Sequence, residues 1–473
     1  MYDRMPRYSD EELTRLHEAS VGILREVGVA FHDPEALELF RRHGKRVDGK
    51  VVRLEEADVR AALDAAPDRF RIEARNPEKS VEVGGEGFVC LPGYGAPHVV
   101  EPSGDQRPAT LADYHTFCKL VHTSPHLDMN GFLLVQPEDV APEVSHLEML
   151  LANFLWCDKA FLGSPLSRRA ARDALEMAGI AWGGEGTLRD RPVMAAIINS
   201  LSPLQYSEEM TGALMEMAGA GQPCVVTPAV MAGSTGPVRL GGVLALQNAE
   251  ALAGLTLAQL VRPGAPVVYG SASGVMDMRT GAFAIGAPEL PAIVSATAQM
   301  ARFYGLPCRT GGSLTDAQIP DLQAGRESAL ALVTAVRAGV HFVMHAAGIL
   351  GSYMAMSFEK FLADEELCGV VRKMVQPVDL SPEGLGVEAV LDAGVGGEYL
   401  TREETFELCR TEFFLPSLAY RGGYPEWAAD GKRSLAERAA GALSARLARY
   451  AKPDIDPGVE RDLAAYVTRR KGG

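Results

Sequence analysis

A dense group of hydrogen-bonding side chains follows a short apolar run in residues 305–323. The segment reads Gly-Leu-Pro-Cys-Arg-Thr-Gly-Gly-Ser-Leu-Thr-Asp-Ala-Gln-Ile-Pro-Asp-Leu-Gln, so a strand-like stretch is followed by glycines and then by hydroxyl, carboxylate and amide groups. A helix-compatible run rich in alanine and leucine comes next. This order is typical of a strand that delivers polar groups to a ligand site. We therefore take Ser313, Asp316 and Gln318 as candidates for binding or catalysis.

Similar polar groups stand at the ends of other β-prone segments. Asn199, Ser271 and His345 each end such a segment, and Tyr353 follows soon after His345. These hydroxyl, amide and imidazole groups suit hydrogen bonding to a ligand. Asp316 and His345 form the single pair with a suitable location for a metal, and a pair offers too few ligands. We therefore expect no metal bound directly by this chain.

Each candidate also has an ordinary structural explanation. His345 could be a core histidine bonded to backbone, and Asp316 could cap the helix that follows it. Glu250 lies within a predicted helix, where a carboxylate is most often solvated or paired on the helix surface. Tyr94 and His98 could be ordinary residues of a Gly/Pro-rich loop.

Short β-prone segments alternate with helix-length segments from about residue 128 onward. The predicted strands are Met129–Val135, Ala160–Gly163, Val193–Ser200, Cys224–Pro228, Val267–Gly270, Cys308–Gly311, Phe342–His345 and Val371–Val378. This alternation predicts an α/β fold, a (β/α)8 TIM barrel whose chemistry lies at the carboxyl ends of the strands. A doubly wound sheet is the alternative, but no Gly-rich phosphate loop follows the first predicted strand.

Three regions are expected along the chain. Residues 1–115 are predicted to form a cap of helices and a small sheet, residues 116–390 the barrel, and residues 391–473 a helical extension packed on the barrel. The cap begins with Ser9-Asp10-Glu11-Glu12, which is a helix start followed by an amphipathic pattern.

The composition is that of an ordinary soluble globular protein. The chain has 473 residues, of which 47% are hydrophobic and 23% charged, and a formal net charge of −15. This acidic balance argues against a nucleic-acid partner, because no basic stripe is present to release phosphate counterions. No uninterrupted run of about 18 apolar residues indicates a membrane span. The seven cysteines occur singly, so we expect reduced thiols in a cytoplasmic protein.

Several ordered blocks of the sequence resemble the trimethylamine methyltransferase family. They are Ile23-Leu-Arg-Glu-Val-Gly-Val-Ala-Phe, Leu246-Gln-Asn-Ala-Glu-Ala-Leu-Ala-Gly, Gln259-Leu-Val-Arg-Pro-Gly-Ala-Pro-Val-Val-Tyr-Gly, Asp277-Met-Arg-Thr-Gly, Gly286-Ala-Pro-Glu, Tyr304-Gly-Leu-Pro, Thr315-Asp-Ala-Gln-Ile-Pro-Asp-Leu-Gln-Ala-Gly, His345-Ala-Ala-Gly and Ser357-Phe-Glu-Lys. The resemblance runs nearly from end to end. It implies a (β/α)8 barrel that moves a methyl group from a methylated amine to the cobalt of a corrinoid (cobalamin) carried by a separate small protein.

The founding branch of that family uses pyrrolysine to activate trimethylamine. This chain contains standard residues only, and Gln318 lies at or near the pyrrolysine position. The closer resemblance is therefore to the branch without pyrrolysine, which includes glycine betaine:corrinoid methyltransferase. A quaternary ammonium suits that branch, because its leaving group is a neutral amine and needs no covalent activation.

The resemblance and the predicted strand ends together suggest roles for the candidate residues. The residues assigned to catalysis are Asp316, Gln318 and His345. The residues assigned to substrate binding are Asn199, Tyr94, Tyr353, Phe358 and His345. The residues assigned to contact with the partner's corrinoid are Gly311, Gly312, Ser313 and Ser271. The aromatic residues are included because aromatic faces bind a trimethylammonium head. A metal-dependent lyase or aldolase and a non-catalytic quaternary-amine-binding protein are the alternatives. Neither nucleic acid nor membrane is expected as a partner, and a homo-oligomer is left open.

Overall fold

A parallel sheet of eight strands forms the centre of the protein, which a computed structural model describes for residues 6–472. The strands are β1 Val89–Cys90, β2 Met129–Asn130, β3 Ala160–Leu162, β4 Met194–Ile198, β5 Cys224–Val226, β6 Val267–Gly270, β7 Cys308–Gly311 and β8 Phe342–Met344. β8 pairs with β1, and the Asp128 N–H donates to the Cys90 carbonyl at 2.9 Å, which brings β1 and β2 together. The predicted (β/α)8 barrel is confirmed.

Helices alternate with the barrel strands, and further helices precede and follow the barrel in the chain. The α-helices are Asp10–Glu26, Pro34–Arg42, Glu56–Ala65, Leu111–Thr123, Pro142–Trp156, Arg168–Trp182, Glu208–Gly219, Leu240–Val261, Glu289–Phe303, Leu322–Ala338, Phe358–Met374, Pro382–Leu385, Val387–Ala393, Glu403–Glu412, Tyr424–Ala429, Leu435–Ala448 and Pro457–Gly472, with 3-10 turns at Pro77–Lys79 and Glu185–Asp190. The first of them starts at the expected place, because Ser9 and Glu12 form a capping box.

Small sheets join the loops to one another. Their strands are Val29–Phe31, Arg46–Asp48, Val51–Arg53 and Gln205–Tyr206 in one sheet, Arg69–Ile72 and Val81–Gly84 in a second, His98–Val100, Gln106–Pro108, Ile349–Leu350 and Ala355–Met356 in a third, and Met231–Ala232, Gly274–Asp277 and Ala282–Ala284 in a fourth. The first sheet ties the N-terminal region to the loop after β4, since Ala30 pairs with Gln205.

One barrel strand was wrongly predicted and another was missed. The segment Val371–Val378 is not a strand, because helix Phe358–Met374 continues into it. The missing strand is β1, which lies in the Gly/Pro-rich stretch and therefore before the expected barrel boundary at residue 116. A buried strand of two residues is too short to show any periodicity. Every predicted strand consequently moves up one place in the order, and the division into three regions stays a prediction.

The long helix Leu240–Val261 is a core element of this fold. By length and composition it could cross a membrane, but 78% of its most apolar window is buried inside the protein. Glu250, which was expected to be solvated, is fully buried on it. Its carboxylate accepts hydrogen bonds from the Ser200 and Ser202 hydroxyls and from the Leu204 N–H. The helix therefore fixes the loop that follows β4.

Candidate functional site

Strained backbone conformations mark the loop after β8. His345, Ser352 and Tyr353 have positive φ angles of 54°, 54° and 76°. Left-handed backbone costs a residue with a side chain about 1 kcal/mol or more, and such residues cluster at functional sites. The first of them, His345, directly follows β8, at the carboxyl end of the barrel.

Aromatic rings from three loops converge at this end of the barrel. The His345 ring lies 4.7 Å from Tyr353 and 6.5 Å from Tyr94 between ring centroids, and Tyr94 meets it edge-on at 86°. Phe283, from the hairpin after β6, lies 6.2 Å from Tyr353. Tyr94, Tyr353 and His345 were predicted to bind substrate, and the structure brings these three together. We refer to the four rings as the aromatic cluster.

Arg309 lies beside this cluster and was not among the predicted site residues. It is on β7, its side chain is 2% exposed, and its Nη1 donates to the Ser271 carbonyl at 2.7 Å. Its burial lowers the pKa of the guanidinium to about 10, so it stays charged at neutral pH. An arginine inside the otherwise apolar run Leu-Pro-Cys-Arg-Thr-Gly-Gly was the signal that could have identified it.

The imidazole of His345 is neutral. Burial, and then the positive charge of Arg309, holds its pKa well below the usual value. Its backbone carbonyl accepts from the Ser313 N–H at 2.9 Å, which places Ser313 next to it.

Polar atoms at these strand ends lack partners inside the protein. Within residues 6–472, the buried atoms without a hydrogen bond include Ser164 Oγ after β3, Arg309 Nε, Ser313 Oγ and His345 Nδ1. Buried polar groups are normally satisfied, and clustered exceptions indicate a place where a ligand completes the hydrogen bonding. The core-histidine explanation of His345 therefore leaves its Nδ1 unexplained.

Asp316 holds three loops together and does not cap the following helix. Its carboxylate accepts from the Ile285 and Gly286 N–H groups at 2.8 and 2.9 Å and from the Ser352 hydroxyl at 2.6 Å. The cap of helix Leu322–Ala338 is Asp321. The capping explanation of Asp316 was wrong. A direct catalytic role also has little room, because both oxygens are already hydrogen-bonded.

Gln318 is an exposed residue at the rim of the barrel. Its side-chain oxygen accepts from the Gln106 amide at 3.2 Å, and its own amide donates to the Asp316 carbonyl at 3.2 Å. Catalysis by Gln318 stays a prediction.

Two further candidates have partners within the protein. The Asn199 amide donates to the Thr227 carbonyl at 2.7 Å, and the Ser271 hydroxyl donates to the Gln247 side-chain oxygen at 2.8 Å. Both side chains therefore brace neighbouring strand ends. Their predicted contacts with substrate and corrinoid are not excluded by these bonds and stay predictions.

The two glycines of β7 are explained by internal packing. A Cβ on Gly311 would overlap the Leu314 side chain, and one on Gly312 would lie 2.8 Å from Val343. The space that a Cβ would take at these positions is thus filled by the chain itself, and the predicted contact of both glycines with the corrinoid stays a prediction. The Phe358 ring stacks on Phe117 of an outer helix at 4.4 Å between centroids, and its predicted contact with substrate stays a prediction.

No group of three or more His, Cys, Asp or Glu side chains within residues 6–472 is placed to hold a metal ion. The titratable groups at the strand ends are instead the neutral His345, the saturated Asp316 and the cationic Arg309. The phenol of Tyr353 stays protonated, because burial raises its pKa to about 12. The arrangement is suited to binding and orienting a ligand rather than to general acid–base chemistry.

Comparisons with known proteins agree on one family. The family model described as trimethylamine methyltransferase (MTTB) matches residues 2–473. The chain is 42% identical to the glycine betaine methyltransferase of Desulfitobacterium hafniense strain Y51, with 98% of each chain covered. It is 35% identical to the proline betaine:corrinoid methyltransferase of Eubacterium limosum, covering 98% of this chain and 97% of the relative. The trimethylamine methyltransferase MttB of D. hafniense strain DSM 10664 / DCB-2 is 29% identical, with 97% and 93% covered.

Solved structures agree on the fold. The monomethylamine methyltransferase MtmB of Methanosarcina barkeri superposes with a TM-score of 0.54 at 11% identity, covering 95% of this chain and 89% of that one. The hydroxylamine complex of MtmB gives a TM-score of 0.55, also at 11% identity, with 96% and 88% covered. At this identity the likeness concerns the barrel alone.

Proposed function

The chain belongs to the trimethylamine methyltransferase family, and we propose that it transfers a methyl group from a betaine-like quaternary amine to the cobalt of a corrinoid carried by a partner protein. The observation that carries this proposal is the aromatic cluster at the carboxyl end of the barrel. The faces of Tyr94 and Tyr353 suit a trimethylammonium head, since aromatic rings attract cations. The names of the two betaine-specific relatives support the same class of substrate.

The chemistry of the donor fits the residues that are present. A quaternary nitrogen already carries its charge, so the carbon–nitrogen electron pair stays on nitrogen and a neutral tertiary amine leaves. Co(I) of the acceptor supplies the nucleophile. The chain then has to orient the donor and keep water away, and no proton has to move. This accounts for a site in which His345 is neutral and Asp316 is saturated with hydrogen bonds.

Trimethylamine is expected to be a poor donor for this protein. Without activation its leaving group would be an amide anion. Gln318, near the position where the founding branch has pyrrolysine, cannot form the covalent adduct that would remove this barrier. The difference in turnover between quaternary and tertiary amines is therefore the sharpest test of the proposed function.

The surface around the barrel mouth suits a protein partner. Exposed apolar side chains lie in the segments that follow five of the strands: Leu201 after β4, Val238 after β5, Met278 after β6, Ile319 and the helix-start residue Leu322 after β7, and Met354 after β8. We call this set the apolar rim. A flat corrinoid delivered to the aromatic cluster has to approach across it, so the rim is where we place the small corrinoid protein. We also place the reaction in the cytoplasm.

The test is methyl transfer to free cob(I)alamin, followed by its absorbance change. Purified protein is incubated with glycine betaine, proline betaine, carnitine or trimethylamine, each with and without a chelator. We expect turnover with at least one quaternary amine, none comparable with trimethylamine, and no effect of the chelator. Inhibition by the chelator would favour a metal-dependent enzyme, and binding without any turnover would favour a non-catalytic sensor.

A further inference from the structure

Arg309 is a buried cation without an acidic partner. Among residues 6–472 no carboxylate forms an ion pair with it, and its neighbours include the phenols of Tyr94 and Tyr353, the Cys308 thiol and the carbonyl of Ser271. Its Nε has no hydrogen-bond acceptor. Buried charges in proteins are normally paired, because an uncompensated charge in a dry environment is unfavourable.

Another largely buried arginine of this chain follows the usual pattern. The Arg446 guanidinium is bonded to both carboxylate oxygens of Glu365, and its Nε donates to the Thr123 hydroxyl. Arg309 is more deeply buried than Arg446 and has less compensation. The difference indicates that an anion from outside the chain completes its surroundings.

The backbone of Arg309 is held in the barrel sheet by strand pairing on both sides. It is paired with Gly270 of β6 on one side and with Phe342 of β8 on the other. Arg309 also lies on the strand itself, whereas Tyr94 and Tyr353 lie in loops beyond the strand ends. The Arg309 guanidinium reaches the Ser271 carbonyl directly after β6, so an anion bound to it would lie at the carboxyl ends of the strands, beside the rings.

We propose that Arg309 binds the carboxylate of the methylated substrate, so that the site selects quaternary amines that carry a carboxylate close to the nitrogen. The carboxylate lies against Arg309 at the strand ends, and the trimethylammonium head lies between the rings, where the acceptor arrives. His345 Nδ1 and Ser313 Oγ supply further hydrogen bonds to the same carboxylate, which explains why both lack partners inside the protein. This inference rests on the proposed function and names the feature that distinguishes its substrate from choline or tetramethylammonium.

Calorimetric titration of glycine betaine into the full chain tests the role of Arg309. In Arg309→Gln the affinity should fall about 10- to 100-fold, the range for loss of a charge-assisted hydrogen bond. Tetramethylammonium, which has no carboxylate, should bind weakly, and its affinity should not fall in the same variant, because removal of a positive charge does not disfavour a cation. Arg41→Gln, which removes an exposed charge from an N-terminal helix, is the matched control. Unchanged betaine affinity in Arg309→Gln, or an equal loss with both amines, would overturn the proposal.

A second measurement needs no variant and no turnover. The acid anion 3,3-dimethylbutanoate, called tert-butylacetate below, has the shape and carboxylate of glycine betaine without the positive charge. The alcohol 3,3-dimethylbutan-1-ol, called tert-butylethanol below, lacks the carboxylate as well. The wild-type protein should bind tert-butylacetate and not tert-butylethanol; equal affinity for the two would contradict a carboxylate site. If tert-butylacetate binds through Arg309 but no quaternary amine is demethylated, the anion site stands and the proposed methyl transfer fails.

Discussion

At the scale of single residues, the site keeps a neutral histidine beside a permanent cation. Burial and the charge of Arg309 both lower the pKa of His345. The phenols of Tyr94 and Tyr353 also stay uncharged, because burial raises their pKa values. The net charge of this group at neutral pH is therefore that of Arg309. A zwitterionic ligand can compensate this charge with one end and occupy the rings with the other.

The depressed pKa of His345 predicts how stability depends on pH. Unfolded histidine takes up a proton below about pH 6.5, and the folded state excludes that proton. The free energy of unfolding should therefore fall as the pH falls through this range. His345→Gln removes this contribution, so the variant should lose less stability between about pH 7.5 and pH 5.5 than the wild type does.

Urea unfolding at the two pH values measures this difference. His43→Gln, which replaces an exposed histidine, is the control and should follow the wild type. The same pH dependence in His345→Gln and in the wild type would show that His345 is not held neutral in the folded protein.

At the scale of elements, one carboxylate positions three loops around the aromatic cluster. Asp316, in the loop after β7, holds the turn at Gly286 and the hydroxyl of Ser352. Ser352 precedes Tyr353, so a change at Asp316 reaches the cluster through the backbone. We therefore propose that Asp316 acts by positioning these loops, and its direct catalytic role stays a prediction.

We expect Asp316→Ala to raise the KM for the quaternary amine and to lower stability by about 1–3 kcal/mol, because buried donors lose their acceptor. Asp316→Asn should restore part of both, since one amide oxygen can still accept. The matched control is Asp321→Ala in the same loop, which removes a helix cap and should cost about 1 kcal/mol with KM unchanged. Thermal unfolding and amine-dependent kinetics, measured on the same preparations, distinguish the effect of Asp316 from that of Asp321. An unchanged KM in Asp316→Ala would show that Asp316 does not position the site.

At the scale of the whole molecule, the apolar rim separates the chemistry from the partner. Arg309 belongs to the barrel sheet and the aromatic cluster to the segments directly after its strands, whereas Met278 in a hairpin turn and Leu322 at a helix start are 73% and 89% exposed. Exposed apolar residues grouped around a site entrance often mark a protein interface. Substrate recognition and partner docking are therefore expected to be separable by mutation.

Met278→Asp and Leu322→Asp should each raise the KM for the loaded corrinoid protein by about tenfold, the effect of losing one buried apolar contact. Transfer to free cob(I)alamin should not change, because the site beneath is intact. Val378→Asp replaces an equally exposed apolar residue of the C-terminal region and serves as the control. Steady-state kinetics with both acceptors provide the comparison, and equal effects on free and protein-bound acceptor would rule out the rim as the docking surface.

The sequence by itself determined the barrel, the family and most of the segments that line the site. Strand-length apolar runs that end in glycines and polar residues are local patterns, so Cys308–Gly311 and the polar group after it could be identified without a structure. The family block His345-Ala-Ala-Gly pointed to His345 in the same way, and Tyr353 was noted because it follows soon after the same strand end. The two-residue strand Val89–Cys90 was not predicted, because it is too short to show a periodic pattern.

Only the tertiary structure decided which polar groups are satisfied and which are free. Asp316 and Glu250 look alike as isolated carboxylates, and both are saturated by partners that come from other loops. Arg309 was not identified as a site residue from the sequence. It is identified in the fold because no acidic residue within residues 6–472 forms an ion pair with it. Charge compensation and hydrogen bonding depend on neighbours that are distant in the chain, and local sequence patterns do not contain that information.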